Sequence, residues 1–147
     1  MSTGVIERRI RLLLLILVAA ICVGTVTELI LRKHTGETIQ FVPFVVSGLG
    51  LLSVIAVLVR PQATTIWVLR GVMVLAIGAS LLGMWEHLET NYNFESEMRP
   101  NAAFTDVIVP TLMGAAPLLA PGILALGGVL GLAATYYHPA LGKRTDA

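Results

Sequence analysis

The chain has 147 residues, of which 56% are hydrophobic and only 13% charged, and its formal net charge at pH 7 is +1. A soluble domain carries about 25% charged residues, so about half of the usual charge is missing. The deficit comes from long charge-free runs, which are typical of an integral membrane protein. The single cysteine, Cys22, excludes an internal disulfide and a dithiol redox pair.

Three apolar runs in the first part of the chain predict membrane-spanning helices. The first, Leu12 to Leu31, contains one charged residue, Glu28, and as a helix would be about 30 Å long, which matches the hydrocarbon thickness. The second run, Phe41 to Val59, is uncharged. The third is framed by Trp67 and Trp85, whose rings are spaced to lie at the two membrane interfaces.

The last apolar stretch, Val107 to Tyr137, is too long for one straight span and contains prolines at 110, 117 and 121. Proline lacks a backbone N–H and crowds the carbonyl four residues earlier. Pro117 and Pro121 therefore predict a kink or break, with the carbonyls of Met113 and Pro117 released from helical hydrogen bonding.

Together these runs predict an all-α fold, an integral membrane four-helix bundle in a single domain, 1–147. The spans are expected at about 11–32, 41–60, 66–87 and 109–137, with an outer polar loop at 88–108. The third helix should continue about one turn beyond Trp85, since Glu86, Leu88 and Glu89 are good helix formers.

The charge distribution predicts the orientation. With four spans, both termini lie on one side of the membrane, and that side carries most of the basic residues. They are Arg8, Arg9, Arg11, Arg60, Arg70, Lys143 and Arg144. The positive-inside rule therefore places both termini in the cytoplasm, and the expected location is a bacterial cytoplasmic membrane. Most of the carboxylates fall on the other side, which favours the outer surface as the functional one.

The polar passage 85–100 is the main source of candidate functional residues. It contains several carboxylates, one histidine and the sequence Asn91-Tyr92-Asn93-Phe94, in which amide and aromatic side chains alternate. Such a surface is typical of contact with a partner or with lipid head groups. Including the outer end of the first helix, the candidates for partner or ion binding are Glu28, Arg32, His34, Glu86, His87, Glu89, Asn91 and Tyr92.

Two of these candidates allow both a structural and a chemical interpretation. Glu28 lies one turn from the end of its span and four residues before Arg32, so an i,i+4 ion pair is expected, with cation or proton binding as the alternative. His34, Glu86 and His87 are weak metal-ligand candidates, because no Glu-x-x-His pair, no His-x-x-x-His pair and no cysteine pair accompanies them.

The leading functional hypothesis is a non-enzymatic accessory or interaction subunit whose acidic and aromatic cap lies outside the membrane. The alternative is a cation-, metal- or proton-coupled transporter, or a metal-handling protein, that uses the outer Glu and His residues. No cofactor and no nucleic-acid partner are expected. The expected partners are the lipid bilayer and either another membrane protein or a second copy, packed through Gly127 and Gly131.

Overall fold

The computed structural model describes residues 3–142 and is all-α, as predicted: it is 80% helical, with no strand in that range. Lys143 and Arg144, two of the basic residues behind the predicted orientation, lie outside the described residues. Two short 3₁₀ turns cover Thr38–Phe41 and Pro139–Leu141. The α-helices are α1 (Thr3–Leu31), α2 (Val42–Val59), α3 (Ala63–Met98), α4 (Phe104–Leu112) and α5 (Gly122–Ala134).

Three segments are long and apolar enough to cross a membrane: α1, the stretch Thr38–Val59, and α3. The fourth apolar helix, α5, has 13 residues. At 1.5 Å per residue it is about 20 Å long, which is shorter than the hydrocarbon core of a bilayer. A fourth span therefore requires the residues that flank α5.

The helices pack around a common buried layer. α2 and α5 each contact both α1 and α3, so α1 and α3 occupy opposite corners, and α4 packs along α3. The core of this layer includes Val18, Val54, Leu69 and Met73, each at most 1% exposed. Because lipid is as apolar as these side chains, the layer would be stabilised in a bilayer by close packing rather than by the hydrophobic effect.

Glycines let the backbones approach in this layer. A Cβ on Gly50 of α2 would lie 2.8 Å from Cys22 Sγ of α1, and one on Gly127 of α5 would lie 3.2 Å from Ile21. A Cβ on Gly131 would collide with the side chain of Met73. The predicted GxxxG pair is therefore filled from within the chain, by α1 and α3. Both glycines are buried, so in this structure they face α1 and α3, and packing with a second copy stays a prediction.

These contacts also show how far each helix extends. α3 continues for about 25 residues beyond Met73, but α1 continues for only about nine beyond Cys22, which lies in the same layer. α2 and α5 likewise start close to the height at which α1 ends. The excess of α3, about 16 residues, corresponds to about 24 Å of helix that has no counterpart in α1, α2 or α5.

The predicted outer loop 88–108 is therefore largely helical. α3 runs to Met98 rather than ending one turn after Trp85, and a short turn leads to α4, which begins at Phe104. Asn and Tyr cost at most about 0.7 kcal/mol each in a helix relative to alanine, so tertiary contacts can override them. Here Asn91 is 3% exposed and hydrogen-bonded to another segment, and Arg99 lies 3.6 Å from Glu95 one turn earlier.

The last apolar stretch is not one helix, as its prolines predicted. α4 ends at Leu112, α5 begins at Gly122, and the residues between them form turns. We call residues 113–121 the break. Pro110 is tolerated within α4, whereas Pro117 and Pro121 lie in the break and at the start of α5.

Candidate functional site

One face of α3 holds the break through three polar side chains spaced along about three turns. The Ser80 hydroxyl donates to the carbonyl of Pro121 at 2.7 Å. His87 Nδ1 lies 2.9 Å from the carbonyl of Pro117, which can only accept, so Nδ1 carries the proton in this contact. The Pro117 carbonyl has lost its helical partner, whereas the Pro121 carbonyl also accepts from Leu124 N at 3.2 Å, so Ser80 adds a second donor there.

Asn91 makes the most complete of these contacts. Its Nδ2 donates to the carbonyl of Ala116 at 2.8 Å, and its Oδ1 accepts from the Ala116 N–H at 3.0 Å. The amide thus pairs with both backbone groups of one residue, as a neighbouring strand would. Gly114 is required beside it, because a Cβ there would collide with the Asn91 side chain. The residue that the sequence suggested for partner binding is a structural clamp.

His87 binds the carbonyl of Pro117, which the spacing of the prolines predicted to lack a helical hydrogen bond. Pro121 removes the N–H that would otherwise bond to the carbonyl of Pro117. His87 takes that place, together with a weaker backbone bond from Ala120 N at 3.2 Å. His87 is therefore engaged with the backbone of the break.

Beyond these contacts, the end of α3 and α4 form a helical hairpin, which we define as residues 86–112. Val107 and Thr111 of α4 are buried against α3, and the rings of Tyr92 and Phe104 lie 6.4 Å apart. Asp106 accepts from the N–H of Ala103 at 3.3 Å and caps the first turn of α4. The hairpin is held at its turn and at its base, so its surface is preorganised.

The exposed surface of this hairpin is apolar and acidic together. Phe94 is 60% exposed, Met98 67% and Phe104 66%. The exposed apolar set also includes Tyr92, Ile108, Val109 and Leu112. Glu89, Glu97 and Asp106 are exposed among them, whereas Glu86 and Glu95 are half-buried and Glu95 pairs with Arg99. Exposed aromatic and methionine side chains in one patch, with polar groups around them, are typical of a protein contact surface.

The candidates on α1 do not join this surface. Glu28 and Arg32 form the predicted i,i+4 pair at 4.0 Å, with both side chains more than half exposed. Such a pair contributes at most about 1 kcal/mol. His34 follows in the loop after α1, and α2 and α5 lie between α1 and α3. Glu28 and His34 are therefore at a different corner of the molecule from Glu86 and His87.

The metal-ligand candidates remain dispersed. Glu86 and His87 are half-buried, and Glu89 is exposed. Within residues 3–142, no group of three His, Cys, Asp or Glu side chains is arranged to hold a metal ion. The structure thus offers no geometric support for the ion-handling alternative in the described part of the chain.

A second polar cluster, which the sequence did not reveal, lies at the opposite end of the molecule. Arg70 of α3 donates to the hydroxyl of Thr135 through Nε at 3.1 Å and to the carbonyl of Thr135 through an Nη at 2.8 Å. Arg11 of α1 donates to the carbonyl of Tyr137 at 3.0 Å. Two arginines from different helices thus cap the C-terminal end of α5. The sequence signal that could have indicated this cap is the last turn of α5, which has no basic residue of its own to interact with the helix C-terminus.

His138 completes this cluster, which we call the arginine cluster (Arg11, Arg70, Thr135, Tyr137 and His138). Partial burial, and then the nearby charges of Arg11 and Arg70, lower the pKa of His138 from its ordinary value. Its Nδ1 accepts a hydrogen bond from Ala140 N at 3.1 Å, which requires that nitrogen to be unprotonated. Burial and the two arginines therefore both favour the neutral imidazole at this end of α5.

Comparison with known protein families, with curated proteins and with solved structures gave no match.

Proposed function

We propose that this chain is a polytopic membrane protein that serves as an accessory or interaction subunit and presents the α3–α4 hairpin outside the bilayer. The observation that carries the proposal is the length of α3. Its 36 residues make about 54 Å of helix, compared with about 30 Å of hydrocarbon. The excess lies at the C-terminal end of α3, beyond the ends of α1, α2 and α5.

The membrane boundaries proposed for α3 are Trp67 and Trp85. Both indole rings are 61% exposed on the outside of the protein, as expected for residues that lie at head-group level. Between these levels α3 is accompanied by α2 and α5, and the intervening side chains that face outward are apolar, among them Val74, Leu75 and Leu82. Above Trp85 the hairpin begins, and its charged residues begin with it.

The proposed orientation has four spans, with both termini in the cytoplasm. α1 extends below the common helical section at its N-terminal end and carries Arg8, Arg9 and Arg11 there. Basic residues at that end and acidic ones on the hairpin are the arrangement that the positive-inside rule favours. The fourth span consists of α5 together with the break, since α5 alone is too short.

The apolar side chains of the proposed outer surface favour a role in binding a partner. Apolar side chains such as Phe94 and Met98 on a membrane-distal hairpin would face water, whose contact with apolar surface is unfavourable. Burial against a partner removes that cost. Because the Asn91 clamp and the α4 contacts fix the hairpin beforehand, little conformational entropy is lost on binding.

The experiment is copurification from native membranes under mild detergent, with variants in the hairpin and in the lipid-facing part of the same helix. Phe94→Ala together with Met98→Ala should remove a stoichiometric partner while the protein still folds. The matched control is Leu75→Ala with Leu82→Ala, two exposed apolar residues of α3 below Trp85. Equal recovery of the partner by both double variants, or the lack of any stoichiometric partner, would contradict the proposal.

A further inference from the structure

The arginine cluster lies where a lipid head group would meet the protein. α5 ends at Ala134, close to the height of Arg70, about seven residues above the start of α3 at Ala63. The next residues, Thr135 to Tyr137, continue as turns beside the first turns of α3. Their carbonyls cannot remain unpaired near lipid, which explains why two arginines from neighbouring helices reach them.

The guanidinium of Arg70 is fixed from two sides. Its Cζ lies 4.9 Å from the ring centre of Trp67, in a cation–π contact, while Nε and one Nη bond to Thr135. Guanidinium carries five N–H donors, so donors remain free after these contacts. Arg11 also keeps donors, since its hydrogen bond to Tyr137 and its 3.7 Å ion pair with Glu7 both use the same nitrogen.

The two arginines bind neighbouring backbone carbonyls. Their acceptors are the carbonyls of Thr135 and Tyr137, two residues apart, so the carbonyl oxygens are separated by at most about 7 Å. Exposed aromatic rings surround the pair: Trp67, Tyr136 and Tyr137. Arginines framed by interfacial aromatic rings provide both halves of a head-group site, with charge for a phosphate and amphipathic rings for the glycerol region.

Within residues 3–142, the one ion pair made by Arg11 or Arg70 is that between Arg11 and Glu7. Two arginines face one exposed glutamate, and Arg8 and Arg9 lie on the same end of α1. Burial, and then the charges of Arg11 and Arg70, lower the pKa of His138, which is consistent with a positive potential at this site. An anion would be stabilised here by the same field that disfavours the imidazolium ion.

We propose that Arg11 and Arg70 together bind the phosphate group of an anionic membrane lipid in the leaflet at the N-terminal end of α1. This inference rests on membrane insertion, which is one part of the proposed function, but it does not depend on the partner role of the hairpin or on which side faces the cytoplasm. The phosphate takes the free guanidinium donors of both arginines. The lipid then seals the end of α5, where the helix is shorter than the bilayer.

The test is native mass spectrometry of the full chain in detergent, with phosphatidylglycerol or phosphatidylcholine added as the probe. We expect phosphatidylglycerol to bind at least about tenfold more tightly than phosphatidylcholine. Both lipids offer a phosphate to the guanidinium groups, but phosphatidylcholine also brings a choline cation, which the two arginines repel. Arg11→Gln should remove most of that preference. Arg60→Gln is the matched control, since Arg60 is an exposed arginine at the same end of the molecule and outside the cluster.

One further variant controls for folding, and a competition experiment identifies the source of the phosphate. Arg11→Lys keeps one positive charge and one donor to Tyr137, so it should fold and lose the preference only in part, even if Arg11→Gln is unstable. Competition by millimolar inorganic phosphate would indicate that a soluble phosphate also occupies the site, whereas binding that resists it identifies the lipid as the ligand. Equal binding of the two lipids, or equal losses in Arg11→Gln and Arg60→Gln, would overturn the proposal. Either result would leave the hairpin proposal standing.

Discussion

The Asn91 clamp gives the sharpest prediction about stability. Asn91→Ala removes two hydrogen bonds to Ala116, at 2.8 and 3.0 Å, and leaves both backbone groups of that residue without a protein partner. An unsatisfied buried group costs about 1–3 kcal/mol. Because Ala116 is only half-buried and water can replace part of the loss, we expect a decrease of about 2–4 kcal/mol in the free energy of unfolding.

Asn91→Asp separates the two halves of the clamp. A carboxylate can still accept from the Ala116 N–H, but its second oxygen faces the Ala116 carbonyl and its charge is buried. At neutral pH we therefore expect a loss of stability at least as large as that of Asn91→Ala. The control is Asn93→Ala, an exposed asparagine two residues further along α3. Its effect should be within about 0.5 kcal/mol, as is usual for surface substitutions.

The assay is reversible unfolding in detergent, accompanied by hydrogen exchange of residues 113–121. Asn91→Ala should increase exchange in the break specifically, since α5 is still held by its contacts with α1 and α3. A stability equal to that of Asn93→Ala, with unchanged exchange in the break, would refute the assignment of Asn91 as the clamp.

Further predictions concern the glycines of the bundle and the arginine cluster. Gly131→Ala should destabilise the protein by about 1–3 kcal/mol, because its Cβ collides with Met73, whereas Gly78→Ala, with open space around it, should be neutral or stabilising by up to about 1 kcal/mol. The reverse order in thermal unfolding would contradict the packing of α5. The pKa of His138 is lowered from 6.5 by burial and by the two arginines, so the unfolded chain takes up a proton at higher pH than the folded one. Stability should therefore decline as the pH falls below about 6.5, and His138→Gln should reduce that decline; a decline of the same size in both proteins would refute it.

The sequence was sufficient wherever a local rule determined the outcome. Pro117 and Pro121 predicted the break because missing N–H groups act on their own helix, and the spacing of Glu28 and Arg32 predicted their pair. The extent of α3 was not predictable in the same way. Its last turns depend on Asn91 meeting Ala116, which is 25 residues away in the chain.

The same distinction applies to the candidate residues. His87 attracts attention as a possible ligand, but its role here is set by the carbonyl that Pro121 releases. Arg70 is placed where a snorkelling side chain is expected, and only the tertiary structure shows that it caps α5 at Thr135. Sequence periodicity identifies which residues share a face of one helix, but not which backbone groups on another segment that face will meet.

The central claim is that the α3–α4 hairpin stands clear of the bilayer on the side opposite both termini. Labelling of single cysteines in intact cells by a membrane-impermeant reagent tests it most directly, in a Cys22→Ala background because Cys22 is the only native cysteine. Asn93→Cys should be labelled from outside, Leu75→Cys should not, and a reporter that fluoresces only in the cytoplasm should be bright when fused after Ala147. Labelling of Asn93→Cys only after permeabilisation, or a dark reporter, would contradict the account.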